Sequence, residues 1–284
     1  MAVIIDGKLV SAKTRDDIKL RVEEFKATHH ITPGLAVVVV GNDPASAVYV
    51  RNKHKATLGA GMNSYQIEYP ENISESALLE KINELNLDPS VNGILVQLPL
   101  PKHISEQNVN LAISPSKDVD AFHPENVGKI MTGDYDFLPC TPAGIMRLLD
   151  FYNVNIAGKR CVVLGRSNIV GKPMAHLLLE RDGTVTVCHS KTENLADITR
   201  SADILIVAIG RPRFVLADMV KHGAVVIDVG INRDESGKIV GDVDFESVSS
   251  IASYISPVPG GVGPMTITML LENTLTAAKK QLGK

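Results

Sequence analysis

Short aliphatic runs recur along this chain, each closed by a glycine or a polar turn and each followed by a stretch of helical length. Leu35–Val40, Cys161–Leu164 and Ile204–Ile209 are apolar at every position rather than at alternate ones. A strand of that kind must be covered on both faces, and the usual cover is helices on either side of a parallel sheet. The alternation therefore predicts βαβ units and an α/β fold throughout.

A helix over about Ser11 to Thr28 leads to strand 35–40, a helix carrying Tyr49 and Lys53, strand Ser64–Tyr69, helix Glu75–Leu85 and strand Gly93–Leu98. That predicts a first domain of three parallel strands. From Pro99 to Cys140 the chain carries Pro99, Pro101, Pro115, Pro124 and Pro139 and reads as rich in loops. Thr141-Pro142 then supplies an N-cap and a first helical position, so the helix Ala143–Phe151 opens a second domain. The second domain repeats the alternation, with strands at Arg160–Leu164, Thr184–Cys188, Ile204–Ile209, Val225–Val229 and Tyr254–Ile255. We place the domains at 1–139 and 140–264, two α/β domains with a cleft between them. A final helical run, 265–284, belongs to neither by pattern and can pack back on the first.

With 284 residues and 44% apolar content the chain can bury sizeable cores. Its 29 basic and 32 acidic residues, net charge −3, generate no field for nucleic acid. The apolar runs are too short to cross a bilayer and Asp6 interrupts the N-terminus early, so we expect neither membrane span nor signal peptide. Cys140, Cys161 and Cys188 are odd in number and form no CxxC pair, and His29, His30 and His54 have no metal-ligand spacing. A reducing cytoplasm and no metal are the expectations.

The second domain's first turn carries the strongest local motif. Gly165-Arg-Ser-Asn-Ile-Val-Gly171-Lys-Pro173 follows a buried strand and opens the helix Met174–Glu180, the setting in which backbone N–H groups and a helix N-terminus meet a phosphate. Ser167 stands where GxGxxG has its second glycine, and the closing glycine comes one residue later. With this spacing, a tight turn that binds nothing stays open as the alternative, but the context reads as a Rossmann-type dinucleotide site. NAD sites place a carboxylate at the end of the second strand; here Cys188 is followed by His189-Ser190-Lys191. A hydroxyl and a cation there, with Arg166 in the turn, suit the 2′-phosphate of NADP. Singly, Ser190 reads as a turn hydroxyl and Lys191 as a solvated charge. Ile231, past the glycine of Val225-Val-Ile-Asp-Val229-Gly230, stands at a strand's carboxyl end and can line the nicotinamide side.

Tyr49 and Lys53 share a helical face at i and i+4. Spacing alone favours a half-buried aromatic beside a solvated lysine.

Five segments together carry more. Tyr49-Val-Arg-Asn-Lys53, Gly93-Ile-Leu-Val-Gln97-Leu-Pro-Leu-Pro101, Lys117-Asp-Val-Asp120, the Gly165 turn and Pro257-Val-Pro-Gly-Gly-Val-Gly-Pro-Met-Thr266, in this order, closely resemble the bifunctional methylenetetrahydrofolate dehydrogenase/cyclohydrolase family. The resemblance implies oxidation of 5,10-methylenetetrahydrofolate by NADP+, hydrolysis of the product to 10-formyltetrahydrofolate, one shared site for both steps, and a homodimer. It implies that Lys53 is the central catalytic residue, that Tyr49 lies against the folate, that Gln97 holds and tunes the lysine, and that Asp120 anchors the pterin. Gly165, Arg166, Ser167, Ser190 and Ile231 would hold the cofactor. Pro259, Gly260 and Gly261 would let backbone approach the flat ring. Chemistry agrees with each role: proton relay needs an amine whose pKa is lowered by desolvation, and a carboxylate accepts the paired N–H groups of an aminopyrimidinone. Asp118 reads as a turn carboxylate and Cys140 as a small buried hydrophobe. Ala121 stands where the family commonly has glycine. A catalytically silent regulator on the same scaffold, or a dehydrogenase of shikimate-like or amino-acid substrates, are the competing readings; intact Lys53 and Asp120 disfavour the first, and KDVD with PVPGGVGP the second.

Overall fold

The computed structural model describes residues 2–42 and 44–283. In chain order the elements are β1 (Val3–Ile4), α1 (Gly7–His29), β2 (Gly34–Val40), α2 (Pro44–Gly59), β3 (Asn63–Tyr69), α3 (Glu75–Leu87), β4 (Gly93–Val96), α4 (Glu106–Ala112), α5 (Pro124–Thr132) and α6 (Cys140–Phe151). There follow β5 (Arg160–Leu164), α7 (Gly171–Glu180), β6 (Thr184–Cys188), α8 (Leu195–Arg200), β7 (Ile204–Val207), β8 (Val225–Asp228), β9 (Asn232–Arg233), β10 (Ile239–Val240), α9 (Phe245–Ser249), β11 (Tyr254–Ile255) and α10 (Val262–Leu282).

These elements form two compact units, Lys13–Cys140 with Ile267–Lys284, and Met1–Ala12 with Thr141–Thr266. The first twelve residues group with the second half of the chain, where the linear division at 139 put them with the first. The cause is β1, which pairs in parallel with β11, Val3 opposite Tyr254 and Ile4 opposite Ile255. Two residues are too few to show as a strand in sequence, and their partner lies some 250 positions away.

In the unit of Lys13–Cys140 the sheet order is β3-β2-β4, all parallel. β2 is apolar throughout because both of its faces are covered. Ala36, Val38 and Val40 pack with Leu78 and Ile82 of α3 and Val109 of α4, whereas Leu35 and Val37 pack with Val119, Phe137 and Leu270. The region 99–140, read as loop, contains α4 and α5. Ser105 caps α4 by accepting from Asn108 N at 3.3 Å. His123 Nδ1 accepts from Glu125 N at 3.1 Å, and Pro124 occupies the first turn of α5, so a proline read as a loop marker starts a helix.

The segment Lys117–Val119 runs beside β4: Ile94 N donates to Lys117 O at 2.8 Å, and Ile94 bridges Asp118 in parallel. Gly93 permits this approach, since a Cβ there would lie 2.7 Å from Val119 Cγ1. Asp120 is thereby carried to the carboxyl end of the sheet, where β4 also ends.

In the other unit a parallel sheet has the order β1-β11-β8-β7-β5-β6, and β9 and β10 form a small antiparallel pair. From β5 the chain moves outward to β6, then returns to place β7 on the opposite side of β5. That reversal is a topological switch point, at which a crevice opens beyond the carboxyl ends of β5 and β7. The sheet of the first unit reverses in the same way, since β3 and β4 flank β2.

Lys117 shows how the first unit is tied together. Its buried amine donates to Leu85 O at 3.0 Å and to Asp88 O at 2.7 Å, closing the carboxyl end of α3. Lys117→Met keeps the stem and leaves those carbonyls unserved, so unfolding stability should fall by about 1–3 kcal/mol. Urea denaturation reads this; an unchanged midpoint would mean that solvent serves the carbonyls equally well.

Candidate active site and dinucleotide-binding turn

In the unit of Lys13–Cys140 a reactive cluster assembles from α2, the residue after β4, the 117–120 segment and the start of α6. Lys53 sits on α2 and is only 9% exposed. Its Nζ donates to Gln97 Oε1 at 2.9 Å, and the Gln97 amide donates to Leu98 O at 2.6 Å. Gln97 N donates to Val38 O at 2.8 Å, extending the β4 ladder by one residue and fixing where the side chain starts. Tyr49, one helical turn before Lys53, is 37% exposed and presents an aromatic surface beside the amine's position on α2.

The electrostatics of the cluster are set by burial. Desolvation pushes the Lys53 amine below the ordinary lysine range, and the charge of Asp120 acts against that shift. Desolvation likewise raises the Asp120 carboxyl, opposed by Lys53 and by a hydrogen bond with the Cys140 thiol. Burial and the neighbouring Asp120 push Cys140 well above the usual thiol range, so it remains protonated at neutral pH. The result is an amine and a carboxyl each drawn towards neutrality, which is what a group exchanging protons near neutral pH requires.

Cys140 does more than fill space. Its Sγ donates to Val119 O at 3.4 Å, and Asn273 Nδ2 on α10 donates to Val119 O at 2.8 Å and Leu138 O at 2.9 Å. Asn273 thus clamps the backbone just before Asp120. Asn273 carries no signal in the sequence, since Glu272 and Thr274 flank it and nothing local marks it as a buried group with fixed partners. Asp118 is the turn brace expected of it, accepting from His123 N and Asn126 Nδ2, both at 2.8 Å. Ala121 adopts φ 58° and is fully buried. The backbone is therefore left-handed at this position, and alanine bears the strain.

The glycine turn lies in the other unit, at its switch point. Gly165 has φ 127°, and a Cβ there would lie 2.2 Å from Ala208 O at the end of β7; one on Gly171 would lie 2.2 Å from Gly165 O. Ser167, in place of the motif's second glycine, accepts at Oγ from Val170 N at 3.2 Å and Gly171 N at 3.3 Å. Arg166 and Ser190 are exposed, each two residues beyond the paired positions Leu164 and Cys188 that end β5 and β6. Lys191 is exposed beside them, its backbone N donating to His189 Nδ1. The exposed cations, the hydroxyl and a turn closed at both ends by glycine fit a phosphorylated dinucleotide.

Ile231 is 53% exposed beyond the carboxyl end of β8. Pro259, Gly260 and Gly261 form a turn in this same unit, with Gly261 N donating to Pro257 O at 2.8 Å and Gly260 at φ 109°. Gly7 packs directly on it; a Cβ at Gly7 would lie 1.7 Å from Gly261 O. The structure thus gathers Lys53, Gln97 and Asp120 into one cluster, while Pro259–Gly261 and the turn residues belong to the other unit. Two further carboxylates there, Asp228 and Asp242, escaped the sequence analysis.

Comparison with known proteins identifies the family. Residues 5–120 match the model for the tetrahydrofolate dehydrogenase/cyclohydrolase catalytic domain, and residues 139–282 match that for the same family's NAD(P)-binding domain. The chain is 59% identical over 280 residues to the bifunctional protein FolD of Acetivibrio thermocellus, covering 99% of this chain and 98% of that one. Among solved structures, the bifunctional FolD methylenetetrahydrofolate dehydrogenase/cyclohydrolase of Campylobacter jejuni is 53% identical, with a TM-score of 0.96 over 99% of this chain and all of that one. The Trypanosoma brucei enzyme, solved with NADP and an inhibitor, is 40% identical with a TM-score of 0.96 over 100% of this chain and 99% of that one. Matched over both halves and nearly its full length, the chain belongs to the tetrahydrofolate dehydrogenase/cyclohydrolase family.

Proposed function

We propose that this enzyme oxidises 5,10-methylenetetrahydrofolate to 5,10-methenyltetrahydrofolate with NADP+ and hydrolyses that product to 10-formyltetrahydrofolate. The observation that carries the reading is the buried Lys53 amine, held by Gln97 and electrostatically coupled to Asp120, in a chain of this family. Nothing in the cluster favours a silent regulator.

In the first step the bridging carbon of the folate loses a hydride and becomes a cationic methenyl carbon. NADP+ supplies the acceptor for that hydride. Arg166, Ser190 and Lys191 would hold its 2′-phosphate, Gly165 and Ser167 the pyrophosphate side, and Ile231 the nicotinamide side. The protein's part in this step is chiefly to place the folate, which falls to Tyr49 as a flat surface and to Asp120 as acceptor for the pterin N–H groups. The family resemblance assigns Pro259, Gly260 and Gly261 to folate binding, where the two glycines carry no side chains.

In the second step water adds to the methenyl carbon and gives up one proton, leaving a neutral hydroxyl adduct; the bond from that carbon to N5 then breaks as N5 gains a proton and the hydroxyl loses its own, so the formyl group stays on N10 and one proton leaves to solvent. A single amine can accept the first proton and return it to N5. Lys53 serves this because desolvation lowers its affinity for protons, while Gln97 Oε1 fixes the direction of its Nζ. A homodimer in the cytoplasm, feeding formyl groups to purine assembly, completes the reading; these points rest on the family resemblance.

Lys53→Met retains bulk and removes the amine. Cyclohydrolase activity, followed by loss of methenyltetrahydrofolate absorbance, should fall by about 100-fold or more, with NADP+ affinity kept; hydrolysis at the parent rate would return Lys53 to a structural role. Arg166→Ala should raise the NADP+ Michaelis constant about tenfold or more, the value of one charge-assisted hydrogen bond, and leave that for NAD+ nearly unchanged. Equal effects on the two cofactors would move the 2′-phosphate elsewhere.

A further inference from the structure

Two buried carboxylates stand behind the carboxyl ends of β7 and β8, and neither enters the chemistry above. Asp242 is 0% exposed. Its Oδ2 accepts from Ile209 N at 2.7 Å and Gly210 N at 2.9 Å, and its Oδ1 from Arg211 N and Asn232 Nδ2, both at 2.8 Å. Asp228 accepts from Gly230 N and Asp242 N at Oδ1 and from Val243 N at Oδ2, all at 2.9 Å.

The packing leaves room for nothing else. A Cβ on Gly230 would lie 2.3 Å from Asp242 Oδ1, and one on Gly241 would lie 1.8 Å from Asp228 Oδ2. The nearby guanidinium groups are engaged elsewhere: Arg211 lies 4.3 Å over the Phe214 ring, and Arg213 pairs with Asp234 at 3.4 Å. The two carboxylates are thus held by amide N–H groups, side by side and like in charge. Burial, with Asp242 adding to it, pushes the Asp228 carboxyl up to about 6.

Burying two like charges is costly, and apolar packing would hold these turns at less expense. What a carboxylate adds is direction, since it collects three successive N–H groups of one turn and the side chain of another. The turn 208–211 follows β7, at the sheet's switch point; the turn 229–232 follows β8, next to it. Ile231 stays 53% exposed between Gly230 and Asn232, residues that Asp228 and Asp242 respectively anchor. An exposed apolar side chain on so constrained a frame has the form of a ligand surface.

We propose that Asp242 is a positioning residue for the nicotinamide side of the NADP site, fixing Gly210 and Ile231 as one rim. The proposal rests on the assignment of NADP to this unit. Asp242→Asn replaces one acceptor oxygen by a donor that faces backbone N–H groups, so the rim loosens at one turn while the volume is kept.

The two activities make the test internal, because the hydrolytic step uses no dinucleotide. Asp242→Asn should weaken NADP+ binding, measured by calorimetry, about tenfold or more. It should also lower dehydrogenase kcat, as the ring is misplaced, and leave cyclohydrolase, assayed without NADP+, within about twofold. Unchanged NADP+ affinity and dehydrogenase kcat in folded protein would overturn the proposal. So would a parallel fall in both activities, which marks a general structural role. Should Asp242→Asn fail to fold, Asn232→Ala removes a single donor. It should raise the NADP+ dissociation constant severalfold with cyclohydrolase intact, and an unchanged constant would overturn the proposal. A parent enzyme that reduced no NADP+ at all would refute the functional assignment instead.

Discussion

The hydrogen bond from Lys53 Nζ to Gln97 Oε1 joins the two elements that lie on either side of a switch point. Lys53 belongs to the helix that follows β2, and Gln97 to the residue that follows β4, β2's neighbour. Because the chain reverses at β2, these two exits diverge, and a polar contact between them can form only where the sheet leaves a crevice. Everything else in the cluster serves that contact. The Lys117–Val119 segment runs along β4 and delivers Asp120, Asn273 and Cys140 hold Val119 O, and burial supplies the low-dielectric setting that moves both amine and carboxyl towards neutrality. Without Gln97 the amine would be buried with one fewer acceptor, and without burial nothing would draw its pKa below the ordinary lysine range.

The two units solve a common problem by different means. Each has a parallel sheet with a switch point, so each offers a crevice at its carboxyl edge. One fills that edge with side chains that titrate. The other clears it: glycine at 165 and 171 admits backbone within a short distance, Ser167 satisfies two amide N–H groups locally, and Asp228 with Asp242 pins the turns behind. Titratable side chains suit proton transfer, whereas hydride transfer chiefly needs the reacting carbons kept close.

How much of this could be read in the sequence follows from how local its cause is. The interior strands were legible because burial on both faces makes every residue of β2 and β7, and of β5 from Cys161 on, apolar. Helices α4 and α5 were not, since they are short, and the prolines around them read as loop until Pro124 is seen to occupy a first turn. β1 and the small β9–β10 pair are two residues per strand and exist only through their partners. Lys53 and Gln97 lie 44 positions apart, so no spacing rule brings them together; their pairing was reachable only through resemblance. Asp228 sits in an otherwise apolar strand, a visible anomaly, but its amide partners come from turns that only the folded chain places beside it.

The central claim is that burial holds the Lys53 amine below the range of ordinary lysines, with Asp120 limiting the shift. A pH titration of the folded enzyme labelled with 13C at lysine Cε, with Lys53 assigned by its loss in Lys53→Met, reads that amine directly. The account predicts that the Lys53 signal titrates below the bulk near 10.4, and moves lower still in Asp120→Asn, where the opposing charge is gone. A Lys53 signal that titrates with the surface lysines, or that is indifferent to Asp120, would contradict it.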